Sequence, residues 1–127
     1  MKPIAVRTPL ALLVGLVGAS AVLLGAFGAH ALRDVLDARA TELWHTAVNC
    51  HIWHALALAL VVGLGQGRSA RLGVGLFVIG IVLFSGTLYA LALGAPRWCG
   101  FVTPLGGVAF VLGWLALGWS LRGQRCA

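Results

Sequence analysis

Hydrophobic and polar positions in this chain separate on the scale of whole segments rather than single turns. From Pro9 to Ala31 no Asp, Glu, Lys or Arg interrupts an apolar run. At ~1.5 Å per residue it reaches about 34 Å, enough to cross a hydrocarbon core of about 30 Å. A second run goes from about Thr46 to Gly65, behind a more polar lead-in from Arg33 to His45. A third covers Leu72 to Gly94, and a fourth about Thr103 to Leu121. Gly65-Gln66-Gly67-Arg68-Ser69 and Gly94-Ala95-Pro96-Arg97 are short connectors rich in helix breakers, so successive helices are expected to be antiparallel neighbours. The pattern predicts an all-α, up-down four-helix transmembrane bundle, one domain over residues 1–127.

Lys2 and Arg7 before the first run, with Ala29-His30-Ala31 at its end, imitate a secretory signal. Signal cores usually run only about 7–15 residues. This run is much longer, and a retained helix is expected.

Composition supports lipid as the main solvent. Hydrophobic residues make up 61% of the chain and charged residues 9%, with a mean hydropathy of +1.00. A water-facing domain carries about 25% charge. The net charge of +6 is spread in ones and twos between the apolar runs. That is the placement of flanking charges on membrane helices, and it does not build the clustered basic face that nucleic acid requires. Lys2, Arg7, Arg68, Arg71, Arg122 and Arg125 fall on one side, and Arg33, Arg39 and Arg97 on the other. The positive-inside rule then puts both termini in the cytoplasm. Cys50, Cys99 and Cys126 form an odd set without CxxC spacing, which supports neither a disulfide framework nor a zinc ribbon. Spacing leaves a single Cys50–Cys99 bridge open.

Small residues recur at four-residue steps: Ala11, Gly15 and Ala19; Ala21, Gly25 and Ala29; Ala55, Ala59 and Gly63; Gly86, Ala90 and Gly94. Such ridges let helices approach closely within one chain or between chains. Trp44, Trp98 and Trp119 fall near the expected membrane interfaces, where their rings anchor helices.

Candidate chemistry lies in the polar side chains inside the runs. His30 closes the first; Asn49, Cys50, His51 and His54 begin the second; Ser85, Thr87 and Tyr89 lie late in the third; Thr103 opens the fourth. Antiparallel order places all of them in one outer half. Cys50, His51 and His54 share a helical face, as do Ser85 and Tyr89, whereas Asn49 and Thr87 point elsewhere. His30, His51, His54, Ser85, Tyr89 and Thr103 are therefore the candidates for one polar pocket. Its plainest use is hydrogen-bonded glue between helices. Its sharper uses are a metal ion held by His51 and His54 with His30 or Cys50, a haem between His30 and His54, or a quinone or lipid headgroup. Catalysis has little support, because Ser85 and His54 lack an orienting third group. Proton-driven transport has little either, because no run contains a carboxylate.

Several strings occur in a recognisable order: Leu24-Gly25-Ala26-Phe27-Gly28-Ala29-His30, His54-Ala55-Leu56-Ala57-Leu58, Leu83-Phe84-Ser85-Gly86-Thr87-Leu88-Tyr89, and Val102-Thr103-Pro104-Leu105-Gly106-Gly107 with Gly113-Trp114. In that order the chain resembles the YgdD-like family of small bacterial inner-membrane proteins, which has eukaryotic transmembrane relatives. The resemblance implies a four-helix inner-membrane protein without a settled activity. It marks His30, His54, Ser85, Tyr89, Thr103, Pro104, Gly106 and Gly107, and His51 departs from the family pattern. The expected function is a non-catalytic membrane or accessory component in contact with lipid, other membrane proteins or further copies of itself. A haem, metal or quinone site at His30 and His54 is the alternative, and a small-solute channel or transporter comes third.

Overall fold

A computed structural model describes residues 6–122. Lys2, Arg125 and Cys126 lie outside the described residues. Four helices are long and apolar enough to cross a membrane. We label them α1 (Thr8–His30), α2 (Ala38–Leu64), α3 (Gly67–Ala92) and α4 (Thr103–Ser120). A 3-10 turn, Arg97–Phe101, leads into α4. The lower end of the bundle holds Thr8, Leu64, Gly67 and Ser120; the upper end holds His30, Ala38, Ala92 and Thr103.

The second helix begins two turns earlier than its hydropathy predicts. Asp37 caps it, its Oδ1 accepting from the Ala40 N–H at 2.8 Å, an interaction typically worth about 1 kcal/mol. The polar lead-in is therefore helix: Arg39, Glu42 and His45 are exposed while Trp44 and Ala47 turn inward. As a result His51 lies midway along α2 rather than near its upper end. Gly67, at φ +75°, starts α3 directly after Gly65-Gln66. Gly94, at φ +96°, ends it; there the Ala95 N–H reaches back to Ala90 O at 2.9 Å, closing the last carbonyls.

Within α3, Ile81–Ser85 form a π turn. One wide turn shifts the phase of everything after it.

The helices pack in chain order, α1 on α2, α2 on α3, and α3 on α4. The α3–α4 seam is the closest. A Cβ on Gly80 would collide with the Phe110 ring, and one on Gly113 would lie 2.9 Å from the Phe77 ring. Each helix thus offers an aromatic knob and a glycine seat to the other. Phe77, Leu58, Val61, Ile81, Phe110 and Leu117 make the main core. Large apolar side chains cover the outside as well, Leu16 being 70% exposed and Phe101 81%. Without internal backbone bonding such a surface could not sit in lipid, and continuous helices supply that bonding.

The small-residue ridges do not all serve as contacts. Gly25 borders α2, with Val48 Cγ1 3.3 Å from its would-be Cβ, and Ala55 is buried. A Cβ on Gly15 would meet nothing within 4 Å, and one on Gly86 would come no closer than 3.9 Å, to its own helix. Ala29 is exposed, and Ala59 and Ala90 are half-buried. Gly106 makes the tightest approach, its would-be Cβ meeting the α3 backbone at Leu83 and Phe84; Gly107 faces the Phe84 ring at an ordinary 3.8 Å.

Candidate functional site

The polar side chains divide into three groups instead of one pocket. The uppermost group joins α1, α2, α3 and α4. Trp44, only 2% exposed, sits over Gly28, whose missing Cβ leaves room for the indole. Its Nε1–H donates to Leu24 O at 3.0 Å, and its ring lies 4.7 Å from that of Tyr89. Trp44 is therefore a core residue and not the interface anchor its type suggests; Trp98 and Trp119 are exposed, the latter beneath the Arg122 guanidinium at 4.0 Å. Ser85, 0% exposed, donates to Ala47 O at 2.9 Å. Thr87 turns the other way, to Thr103 on α4, with their hydroxyls 2.7 Å apart. Thr87 has Leu83 O as an acceptor at 2.6 Å, so the Thr103 hydroxyl supplies the proton for the bond between them.

The second group is centred on His51, 5% exposed. Its Nδ1 lies 3.1 Å from the Tyr89 hydroxyl and its Nε2 3.3 Å from Ser20 Oγ. Ser20 spends its single proton on Val17 O at 2.9 Å. Ser20 must then accept from His51 Nε2–H, which leaves Nδ1 to accept from Tyr89. A neutral imidazole satisfies every member of this chain, which runs Tyr89 to His51 to Ser20 to Val17 O. It stops at a backbone carbonyl, which cannot pass a proton on. The arrangement fastens α1, α2 and α3 at mid-height and offers no through path.

His54 belongs to a third environment. Its Nδ1–H donates to Cys50 O at 2.6 Å, and its ring stacks on Phe110 with centroids 3.5 Å apart at 7°. The Phe77 and Trp114 rings lie 6.0 and 6.2 Å away. His51 therefore serves α1 and α3, while His54 serves the α3–α4 seam. Both occupy the middle of the bundle, which corrects the expectation of a pocket confined to the outer half; the early start of α2 is the reason.

His30 is exposed at the upper end of α1. Ten residues separate it from Ser20, about 15 Å along the axis, and His54 lies lower still. The structure does not bring His30 and His54 together, so the expected haem pair has no common site. Among the described residues no three His, Cys, Asp or Glu side chains gather as metal ligands. Cys50 and Cys99 are free thiols, one in mid-helix and the other beyond the upper end. Ser20, the lone hydroxyl of the first apolar run, is the member that the sequence sets apart in the other half and not among the pocket candidates.

The family described as "Protein of unknown function (DUF423)" matches residues 24–107. The chain belongs to this family. The "UPF0382 membrane protein" of Haemophilus influenzae is 40% identical over 110 residues, covering 85% of this chain and 89% of the relative. YwdK of Bacillus subtilis, also called a UPF0382 membrane protein, is 43% identical over 104 residues, 76% of this chain and 82% of its own. The "UPF0382 inner membrane protein YgdD" of Escherichia coli is 39% identical over 111 residues, 82% of each. These names describe membrane proteins, and none of them names an enzyme. No solved structure matches the chain. In this DUF423 protein the matched stretch holds Trp44, His51, His54, Ser85, Tyr89 and Thr103, the polar fastenings just described, whereas Ser20 and Phe110 lie outside it.

Proposed function

We propose that the protein is a non-catalytic inner-membrane component that acts by association with other membrane proteins or with further copies of itself. One observation carries the reading: among the described residues no buried side-chain nitrogen or oxygen lacks a hydrogen-bond partner. The groups suited to chemistry are already engaged in joining helices. Ser85 gives its proton to α2, His51 uses both ring nitrogens, and His54 donates to Cys50 O and stacks on Phe110 of α4. A nucleophile or proton relay needs such groups free to exchange partners. The Escherichia coli relative's name supports the bacterial inner membrane as the location.

Purification in mild detergent tests this reading. Stoichiometric co-purification of membrane subunits, or a defined homo-oligomer, from a colourless sample is the expected result. A Soret band or stoichiometric metal abolished by His54→Ala would overturn it, as would solute flux in proteoliposomes.

Both termini are assigned to the cytoplasm on the distribution of Lys and Arg. A C-terminal green fluorescent protein fusion should fluoresce and a C-terminal alkaline phosphatase fusion should be inactive. The reverse pair of results would invert the topology.

A further inference from the structure

At the lower end of the bundle, the start of α1, the end of α2 and the start of α3 line a groove of about 660 Å³. That volume falls within the roughly 300–1,000 Å³ typical of small-molecule sites. Its walls are apolar, with Leu10 on α1, Val61 and Val62 on α2, and Val74 on α3. Two arginines line it, Arg7 just before α1 and Arg71 in the second turn of α3. The chain's three acidic side chains, Asp34, Asp37 and Glu42, all lie at the opposite end or in the upper turns of α2. No carboxylate side chain in the sequence is therefore placed to neutralise these cations.

We infer that this groove binds an anionic phospholipid, the phosphate held between Arg7 and Arg71 and an acyl chain lying along Val61, Val62 and Val74. The chemistry is that of an amphiphile: two cations and a greasy wall lining one groove at the lower end of the bundle. Guanidinium is suited to phosphate because its planar donors can engage two oxygens at once. Neither α1 nor α3 has a side-chain cap at its start, so their first-turn dipoles add to the positive potential at the same end. A free inorganic anion would use the arginines and leave the apolar walls unoccupied, so the lipid is the occupant that fits both halves of the groove. The inference goes beyond the proposed function and does not depend on it, since the groove keeps its shape and charge in either orientation.

The test is native mass spectrometry of the full chain released from micelles containing equal amounts of phosphatidylglycerol and phosphatidylcholine with identical acyl chains. Phosphatidylglycerol should be retained preferentially. Arg7→Gln and Arg71→Gln should each lower its occupancy about fivefold, and the double variant about 25-fold. Arg122→Gln, which removes a cation at the same end but outside the groove, should leave it unchanged. Val62→Phe, filling the groove, should weaken retention while the protein still melts as a folded bundle. Equal losses in Arg122→Gln, or no headgroup preference, would reduce the effect to general surface charge and overturn the site. Full displacement of the lipid by inorganic phosphate, or undiminished retention in Val62→Phe, would overturn the acyl-chain half of the assignment.

Discussion

Gly106→Ala is expected to destabilise the bundle by about 3 kcal/mol, while Gly107→Ala should stay within about 0.5 kcal/mol of the parent. The two glycines are adjacent and equally permissive, so propensity cannot separate them. Alanine is in fact the better helix former, by up to about 1 kcal/mol. What separates them is the neighbour. A Cβ on Gly106 would run into the α3 backbone, 2.8 Å from the Leu83 carbonyl carbon and in collision with the Phe84 amide nitrogen. Backbone cannot rotate aside as a side chain can, so α4 would have to back away from α3. That movement would loosen the Thr87–Thr103 bond and lift Phe110 from its seat over Gly80. A Cβ on Gly107 would only touch the Phe84 ring at 3.8 Å. Unfolding by titration with sodium dodecyl sulfate, followed by circular dichroism, measures both. Equal stability of the two variants would mean that α3 and α4 are not as close as described.

The four spans were legible because lipid allows only one answer to an uncharged run of that length: a helix that bonds its own amides. Which faces of those helices meet was not. Four-residue spacing identified Ala11, Gly15 and Ala19 as sharing a face, and that face of α1 is exposed. The close seam uses Gly80 on α3 instead, with Gly106 and Gly113, seven residues apart, on α4. Spacing tells which residues lie together on a helix. It does not tell which face another helix will find.

The same limit explains the site. Position in the sequence predicts Trp44 to be an interface anchor, because indole favours that region. Its burial depends on Gly28 of another helix, a pairing invisible until the helices are docked. The polar lead-in to α2 hides two turns of helix, since Arg39, Glu42 and His45 lower its mean hydropathy while Trp44 and Ala47 face inward. Those two turns moved His51 and His54 from the outer half to mid-bundle. The π turn at Ile81–Ser85 left no signal in the pattern at all. It lies where Gly106 presses on the Leu83 and Phe84 backbone, and it precedes both Thr87, which faces α4, and Tyr89, which faces α2.

His51→Leu carries the second large effect and bears on function directly. It is expected to lower stability by about 1.5 kcal/mol and Tyr89→Phe by about 1 kcal/mol, each bond between membrane helices being worth roughly 0.6–1.7 kcal/mol. The loss should fall on the Tyr89 side, because Ser20 keeps its bond to Val17 O whatever becomes of the imidazole, while the Tyr89 hydroxyl loses its acceptor. Removing both partners removes the orphan, so the double variant should cost less than the two single changes added together. The same unfolding titration, followed by circular dichroism, closes the cycle. The sign of the single variant matters more than its size. A histidine retained for chemistry at the expense of packing is replaced by leucine with a gain in stability. A histidine that fastens three helices is replaced with a loss. An equally or more stable His51→Leu protein would therefore shift His51 from the framework to the activity, and the non-catalytic reading would fall with it.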